Sequence, residues 1–407
     1  MAGGRLRKPA GDGLSARAAG SAPTVPALAE PAGLYVHVPW CVRKCPYCDF
    51  NSHAAGEAID QAGYVDALLV DLEHELNRQS LPAVHSVFIG GGTPSLFAAA
   101  VIGRLLEGID ARIGLAGDAE ITLEANPGTA EASRFVGYRA AGVNRLSIGV
   151  QSLEDTRLRA LGRIHSAREA RDAVTLARAV GFDNLNLDLM FGLPGQTEAG
   201  ALADLHALID LGPDHVSWYQ LTLEPNTLFH QRPPAGLPDD DRLGDIMQAG
   251  QALLAASGFH QYEISAYARD GRACRHNRNY WEFGDYLGVG AGAHGKLTGP
   301  DGEVVRSTKR RAPAAYLRAA AQGATSTRAA VPRDDLPLEF MLNALRLNSG
   351  VSADFFEART GLPLGKIAVP LARARGRGLM QDDARWLAPT QLGQCFLNDL
   401  LALFDPD

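Results

Sequence analysis

The sequence predicts an α/β fold, a partial (β/α)6 TIM-type barrel followed by a small, mostly helical C-terminal domain with a candidate wing near Trp386. Three observations carry this expectation. Six short apolar runs rich in β-branched residues alternate with helical patterns from residue 34 onward. Polar residues gather at the C-terminal ends of successive runs. The rhythm then changes after about residue 235.

The runs are LYVHV (34–38), VHSVFI (84–89), EITLE (120–124), NRLSIGV (144–150), NLNLDLM (184–190) and HVSWYQL (215–221). None contains an internal proline and each ends near a glycine, proline or polar cluster, as buried strands of a parallel sheet do. Between the first two, Val65, Leu68, Leu69, Leu72 and Leu76 recur at helical spacing on one stripe. The segment 166–181 starts at Ser166, a good N-cap, and stops at a glycine, the expected C-terminal signal. Consecutive βα units wind with right-handed crossovers, into either an open doubly wound sheet or a partial barrel. The polar strand ends favour the barrel, whose C-terminal mouth carries sites.

Further on, 239–257 reads as a helix, 260–268 as a strand, 286–295 as a glycine-rich segment of close backbone approaches, and the chain from about 312 as helical. The expected division is a disordered tail over 1–32, the barrel with its extension over 33–300, and the C-terminal domain over 312–404. The tail's many Gly and Pro residues, with acids at Asp12 and Glu30, favour disorder over a transit peptide.

At 407 residues, 46% hydrophobic and 21% charged, the composition is that of a globular chain able to bury a sizeable core. A net charge of −7 argues against a nucleic-acid partner, and STKRR (307–311) reads as solvated surface. No apolar run reaches the ~18 residues of a membrane span, and the N-terminus has no apolar stretch for a secretory signal. Five cysteines make no disulfide framework, and the clustering of three points to a reducing, cytoplasmic compartment.

Those three, Cys41, Cys45 and Cys48, form a CxxxCxxC directly after the first strand, on the loop facing the expected mouth. Thiolates bind iron–sulfur clusters, and three of them on a four-iron cube leave one iron open to an outside ligand. Structural zinc completed by His37, Asp49 or His53 is the alternative, but zinc sites usually draw on two separated cysteine pairs. FIGGGTPS (88–95) follows the second strand, where glycines let backbone approach a ligand and exposed amides could take a charged group. Glu124 closes the third strand, Gln151 follows the fourth, Arg163 stands in LGRIHS and Asp188 lies within the fifth. Singly such residues are usually caps or surface ion pairs; four from successive units converge on one mouth.

Nearly all of residues 33–400 resembles the radical S-adenosylmethionine (SAM) superfamily, in the branch that holds oxygen-independent coproporphyrinogen III oxidase and the HemW-type haem chaperones. YVHVPWC, CPYCDFNSH, GGGTPS, LEANPG, SIGVQS, LGRIHS and DLMFGLPGQT follow that pattern in order. The resemblance implies a 4Fe–4S cluster on the three cysteines, with SAM on the open iron, where it can be cleaved to a 5′-deoxyadenosyl radical. It further implies SAM contacts from Tyr35, Gly92, Glu124, Gln151, Arg163 and Asp188, and contacts to a second SAM from Thr93, Pro94 and Tyr47.

Two features choose within the branch. The decarboxylase motif continues to a further cysteine where this chain has Phe50, and RHNRNYW (275–281) matches the HNxxYW of the chaperones, as LEFMLNALRL (338–347) resembles their C-terminal domain. The resemblance then implies haem as cargo, His276 as its iron ligand, Tyr280 and Trp281 against the porphyrin, and haem-accepting proteins such as respiratory membrane enzymes as partners. A homodimer governed by the cluster would suit such a role. On spacing alone, His276 and Trp281 pin a loop. Cys274 is a conceivable haem thiolate or covalent site and Cys395 reads as core. Coproporphyrinogen decarboxylation, a radical methyltransferase or cyclopropanase, and a zinc-stabilised interaction protein stay as alternatives, and whether SAM is consumed is left open.

Overall fold

The computed structural model describes residues 32–56, 59–129 and 132–405; the expected tail thus lies, but for Ala32, outside the described residues. Twelve strands form one sheet: β1 Gly33–Val38, β2 Val84–Gly91, β3 Leu115–Ala125, β4 Arg145–Gln151, β5 Leu185–Phe191, β6 His215–Gln220, β7 His260–Glu263, β8 Ala266–Ala268, β9 Tyr286–Val289, β10 His294–Thr298, β11 Val304–Lys309 and β12 Ser326–Ala330. Strands β1 to β6 pair in sequence order, all parallel, as a run of right-handed βα units does. The order across the sheet is β12-β11-β10-β9-β1-β2-β3-β4-β5-β6-β8-β7, so its two edges do not meet and the barrel is partial.

The strands alternate with period two. Leu34, Val36, Val87, Ile89, Ile121, Leu123, Leu146, Ile148, Leu185, Leu187 and Val216 are buried in one apolar core, beneath the crossover helices. The intervening residues are mostly polar, with Phe88 an exception, and meet in the lumen. Asn186 donates to Ser147 (2.8 Å) and Asp188 (2.7 Å), and its amide oxygen accepts from Ser217 (3.0 Å) and faces His215 Nδ1 (2.6 Å). NLNLDLM therefore has one apolar and one polar face, unlike a strand buried in oil on both sides.

The expected helices are present. Helix Gln61–Arg78 buries Val65, Leu68, Leu69 and Leu72, and Asp60 caps it by accepting from Gly63 N at 2.9 Å. Helix Ala167–Ala179 opens with Ser166 and Glu169 in a reciprocal capping box.

Beyond residue 235 the structure departs from the sequence reading in three places. Segment 260–268 is a hairpin, β7 and β8, set antiparallel on the β6 edge. The glycine-rich segment 286–295 does bring backbones close, a Cβ on Gly288 or Gly290 clashing with His294 O or His37 O, but it is also β9, a turn and the start of β10; β9 joins β1 in parallel and β10 to β12 continue as an antiparallel meander, so the main sheet runs on to Ala330. STKRR is not a solvated run: Lys309 is 2% exposed, its ammonium donating to Asp71 (2.7 Å) and Glu75 (2.8 Å) of the first helix.

A second core follows, built on Leu336, Phe340, Met341, Phe356, Ile367, Leu371, Leu400 and Phe404, with a two-residue antiparallel pair, Val351–Ser352 and Trp386–Leu387, where the wing was expected. It docks on the barrel through Phe283 and through Arg346, whose guanidinium lies 4.2 Å from the centre of the Trp281 ring. Cys395, read as core, is exposed on helix Gln391–Cys395. No helix among the described residues is long and apolar enough to cross a membrane.

Candidate functional site

The cysteine loop is tied at its neck. Trp40–Cys41 pairs in parallel with His53–Ala54, and Ala55 N donates to Cys41 O at 2.8 Å. Lys44 Nζ staples the interior by donating to Phe50 O (3.0 Å) and Ser52 O (3.3 Å). Within the loop Cys41, Cys45 and Cys48 are half-buried, and all three line one cavity of about 130 Å3. Burial raises the Cys41 and Cys48 thiols above their ordinary pKa; Cys48 Sγ lies 3.7 Å from Ser52 Oγ, and Arg163 Nη1 approaches Cys45 Sγ at 3.6 Å.

The other wall of this cavity comes from the strand ends. Gly92, Thr93, Glu124, Gln151, Arg163 and Asp188 line it, as does Tyr47, whose ring packs 6.3 Å from Phe229 and whose hydroxyl burial makes harder to ionise. Arg163 is aimed by Asn126 and by Gly149 O (3.0 Å), while its buried Nε has no partner among the described residues. Gln151 sits at a bulge in β4 with φ +66°, a left-handed conformation that a side chain adopts at a cost, and Tyr219 OH donates to its Oε1 at 2.7 Å. Glu124 is pushed up to about 7, by burial first and by the nearby Asp188 charge second; burial raises Asp188 as well.

The glycine motif works differently from the expectation. Gly91 N donates to Glu124 Oε2 (3.0 Å), Gly92 N to Val38 O (2.7 Å) and Thr93 N to Trp40 O (2.7 Å), so these amides are spent on the protein. The glycines are needed for close packing: a Cβ on Gly92 would stand 2.5 Å from Trp40 O, and Gly91 has φ +111° with its Cβ position 2.5 Å from the His37 ring. Pro94 opens the short 3-10 turn Pro94–Leu96 and lines neither cavity described here.

Tyr35 and His276 lie apart from this group. Tyr35 lines a second cavity, of about 550 Å3, which shares Phe50, Gly91 and Glu124 with the first. His276 belongs to helix Arg275–Trp281, which plugs the N-terminal end of the lumen. Glu120 receives its first amides, Arg275 N and His276 N, each at 3.2 Å, and the Cys274 thiol at 3.4 Å. His276 is 1% exposed, with Nδ1 2.9 Å from Ser86 Oγ and Nε2 2.7 Å from Tyr280 OH, and burial lowers it to about 3. Cys274, also buried, is raised to about 12 and is held as a thiol.

The donor set suits a cluster better than an ion. Among the described residues no three His, Cys, Asp or Glu side chains are disposed around a single metal position, and His37 is committed to Tyr35 OH and Asn51 O, each at 2.9 Å. A four-iron cube spreads its irons over separate corners, one thiolate to each, which three half-buried thiols around one cavity accommodate. The residues missed in the sequence are Asn126, Tyr219 and Ser147, all on this cavity. Asn126 resembled a turn residue and Tyr219 an apolar strand position, so only the convergence of elements exposes them.

Comparison with known proteins gives the chain's family. The radical SAM superfamily matches residues 35–208, and the HemN C-terminal domain matches 331–396. Heme chaperone HemW of Escherichia coli K12 is 51% identical over 375 residues, covering 92% of this chain and 98% of that protein. The chain belongs to the HemW family. HemW of Haemophilus influenzae is 50% identical over the same shares of both chains. A bovine mitochondrial relative, radical S-adenosyl methionine domain-containing protein 1, is 38% identical across 91% of this chain and 86% of its own. Among solved structures, E. coli coproporphyrinogen III oxidase HemN superposes with a TM-score of 0.79 at 26% identity, covering 94% of this chain and 92% of that one. Phe50, 59% exposed, stands on the rim common to both cavities.

Proposed function

We propose that this chain is a haem carrier on a radical SAM scaffold, taking up haem beside a 4Fe–4S cluster and passing it to haem-accepting proteins, respiratory membrane enzymes among them. The observation that carries the reading is the pair of adjoining cavities, one lined by three thiols and charged strand ends, the other large and aromatic. Cys41, Cys45 and Cys48 would hold the cluster. Glu124, Gln151, Arg163 and Asp188, with Gly92, Thr93 and Tyr47, supply the acceptors, cation and covering ring that a zwitterionic amino acid and a nucleoside require. When bound, the cluster and SAM supply one-electron chemistry; here the residues' part is to seat them against the wall shared with the cargo.

The HemW relatives support haem as that cargo. Phe50 supports carriage over decarboxylation, since it offers neither a thiol nor an acid–base group at the shared rim. The reading places the protein in the cytoplasm, with a homodimer as its regulated state.

Anaerobic reconstitution with iron and sulfide tests the first half. The wild type should gain 4Fe–4S absorption and an EPR change on adding SAM, and Cys45→Ala should lose both. For the second half, protein loaded with haem should pass it to an apo haem protein on mixing. Absence of haem uptake by the reconstituted wild type would refute the carrier role.

A further inference from the structure

The larger cavity, at about 550 Å3, is of a size that encloses a cofactor. Its apolar walls are the rings of Tyr35, Tyr280, Tyr286 and Phe50, drawn from β1, the plug helix, β9 and the cysteine loop. Tyr280 and Tyr286 meet edge to face at 4.3 Å, and the Tyr280 hydroxyl is turned back onto His276. Such walls suit a flat aromatic macrocycle.

Of the histidines around this cavity, His37 has both ring nitrogens engaged by Tyr35 and Asn51, and His276 behind it has both engaged by Ser86 and Tyr280. His294 differs. It starts β10 directly opposite Thr308 of β11, is exposed to the cavity, and has Nδ1 3.2 Å from Thr308 Oγ1. Nε2 has no partner among the described residues, and in the tautomer in which Nδ1–H donates to that hydroxyl it presents a free lone pair. Partial burial and the charges of Arg306 and Arg311 hold His294 below the ordinary histidine pKa, which keeps the ring neutral.

Arg311 lines the same cavity. Its backbone oxygen is fixed by Asn51 Nδ2 at 2.8 Å, while its guanidinium has no hydrogen bond or ion pair among the described residues. Two residues before it, Lys309 is consumed by Asp71 and Glu75, and Arg310 donates to Ala324 O at 2.9 Å. Arg311 is therefore the uncommitted cation of that run.

We propose that His294 is the axial ligand of haem held in the larger cavity, with Arg311 pairing with a propionate and the tyrosine walls covering the macrocycle. This rests on the haem-carrying reading above and replaces His276 with His294 as the iron ligand. Thr308 is the positioning residue that orients the His294 ring.

The test is a haemin titration of the full chain followed by optical and EPR spectra, comparing wild type with His294→Ala, Arg311→Gln, Thr308→Val and His276→Ala. His294→Ala should lose the imidazole-ligated Soret and EPR signature and bind at least tenfold more weakly, with free imidazole restoring the spectrum. Arg311→Gln should bind about tenfold more weakly with an unchanged spectrum, and Thr308→Val should weaken binding by up to about tenfold. His276→Ala should keep the wild-type axial signature, with circular dichroism confirming the fold of each variant. A His294→Ala protein with wild-type spectra and affinity would overturn the assignment, as would loss of the axial signature in folded His276→Ala alone. A wild type that takes up no haem would instead sink the carrier reading itself.

Discussion

Glu124 is the residue whose environment makes the clearest claim. Its folded-state pKa of about 7 exceeds the ordinary carboxylate value, so between the two the folded chain binds more protons than the unfolded one. Stability contributed by this group is therefore present at acid pH and is lost as the pH rises towards 7. Glu124→Gln keeps an acceptor for Gly91 N and removes the titration. In protein free of cluster and SAM, the variant should gain on wild type by on the order of 1–2 kcal/mol between about pH 5 and about pH 8, a figure discounted for water in the cavity. Thermal melts at the two pH values check it, and a gap independent of pH would contradict it. At this scale the sequence is most legible where a charge interrupts an apolar run, as at Glu124 and Asp188. It is least legible where a polar residue looks ordinary. Asn126 and Ser147 acquire meaning only from Arg163 and Asp188 across the mouth.

Among the elements, helix Arg275–Trp281 depends on a cap from far away in the chain. Glu120 on β3 takes two of its opening amides and the Cys274 thiol, so a carboxylate some 150 residues earlier does what an N-cap residue usually does. Glu120→Ala leaves buried donors without partners and should destabilise the fold by about 2–3 kcal/mol. Tyr280 and its face of the larger cavity should loosen with it. Urea melts and the near-ultraviolet tyrosine signal measure both, and an unperturbed near-ultraviolet spectrum would show that the helix seats itself. The sequence gives HNRNYW no local helix-start signal, which is why spacing suggested a pinned loop. In contrast Ser166 and Glu169 cap their own helix, and that boundary is readable without any tertiary context.

Across the molecule, the six-stranded barrel was legible because its outer face is apolar with strict alternation, while the extension β9 to β12 was not. Its strands are short and carry Gly, Lys and Arg, and the partners of Lys309 and Arg328 lie far off in the chain, on the first helix. Lys309 is the main tie: its ammonium, Asp71 and Glu75 are all buried, and Arg328 adds a 2.7 Å pair to Glu75. Lys309→Met leaves the buried Asp71 carboxylate without a cation, while Glu75 keeps Arg328, and should cost about 3–5 kcal/mol in chemical denaturation. Because β10 and β11 carry His294 and Thr308, and Arg311 follows directly after β11, the same change should weaken haem binding; wild-type affinity in a destabilised variant would separate the extension from the cargo site. The central claim is carriage of a tetrapyrrole without its decarboxylation. The most direct measurement incubates the anaerobically reconstituted chain with SAM, a low-potential reductant and coproporphyrinogen III, and follows the tetrapyrroles by chromatography. The account predicts that coproporphyrinogen III is recovered unchanged while the same preparation still takes up haem. Conversion to protoporphyrinogen IX over multiple turnovers would contradict it.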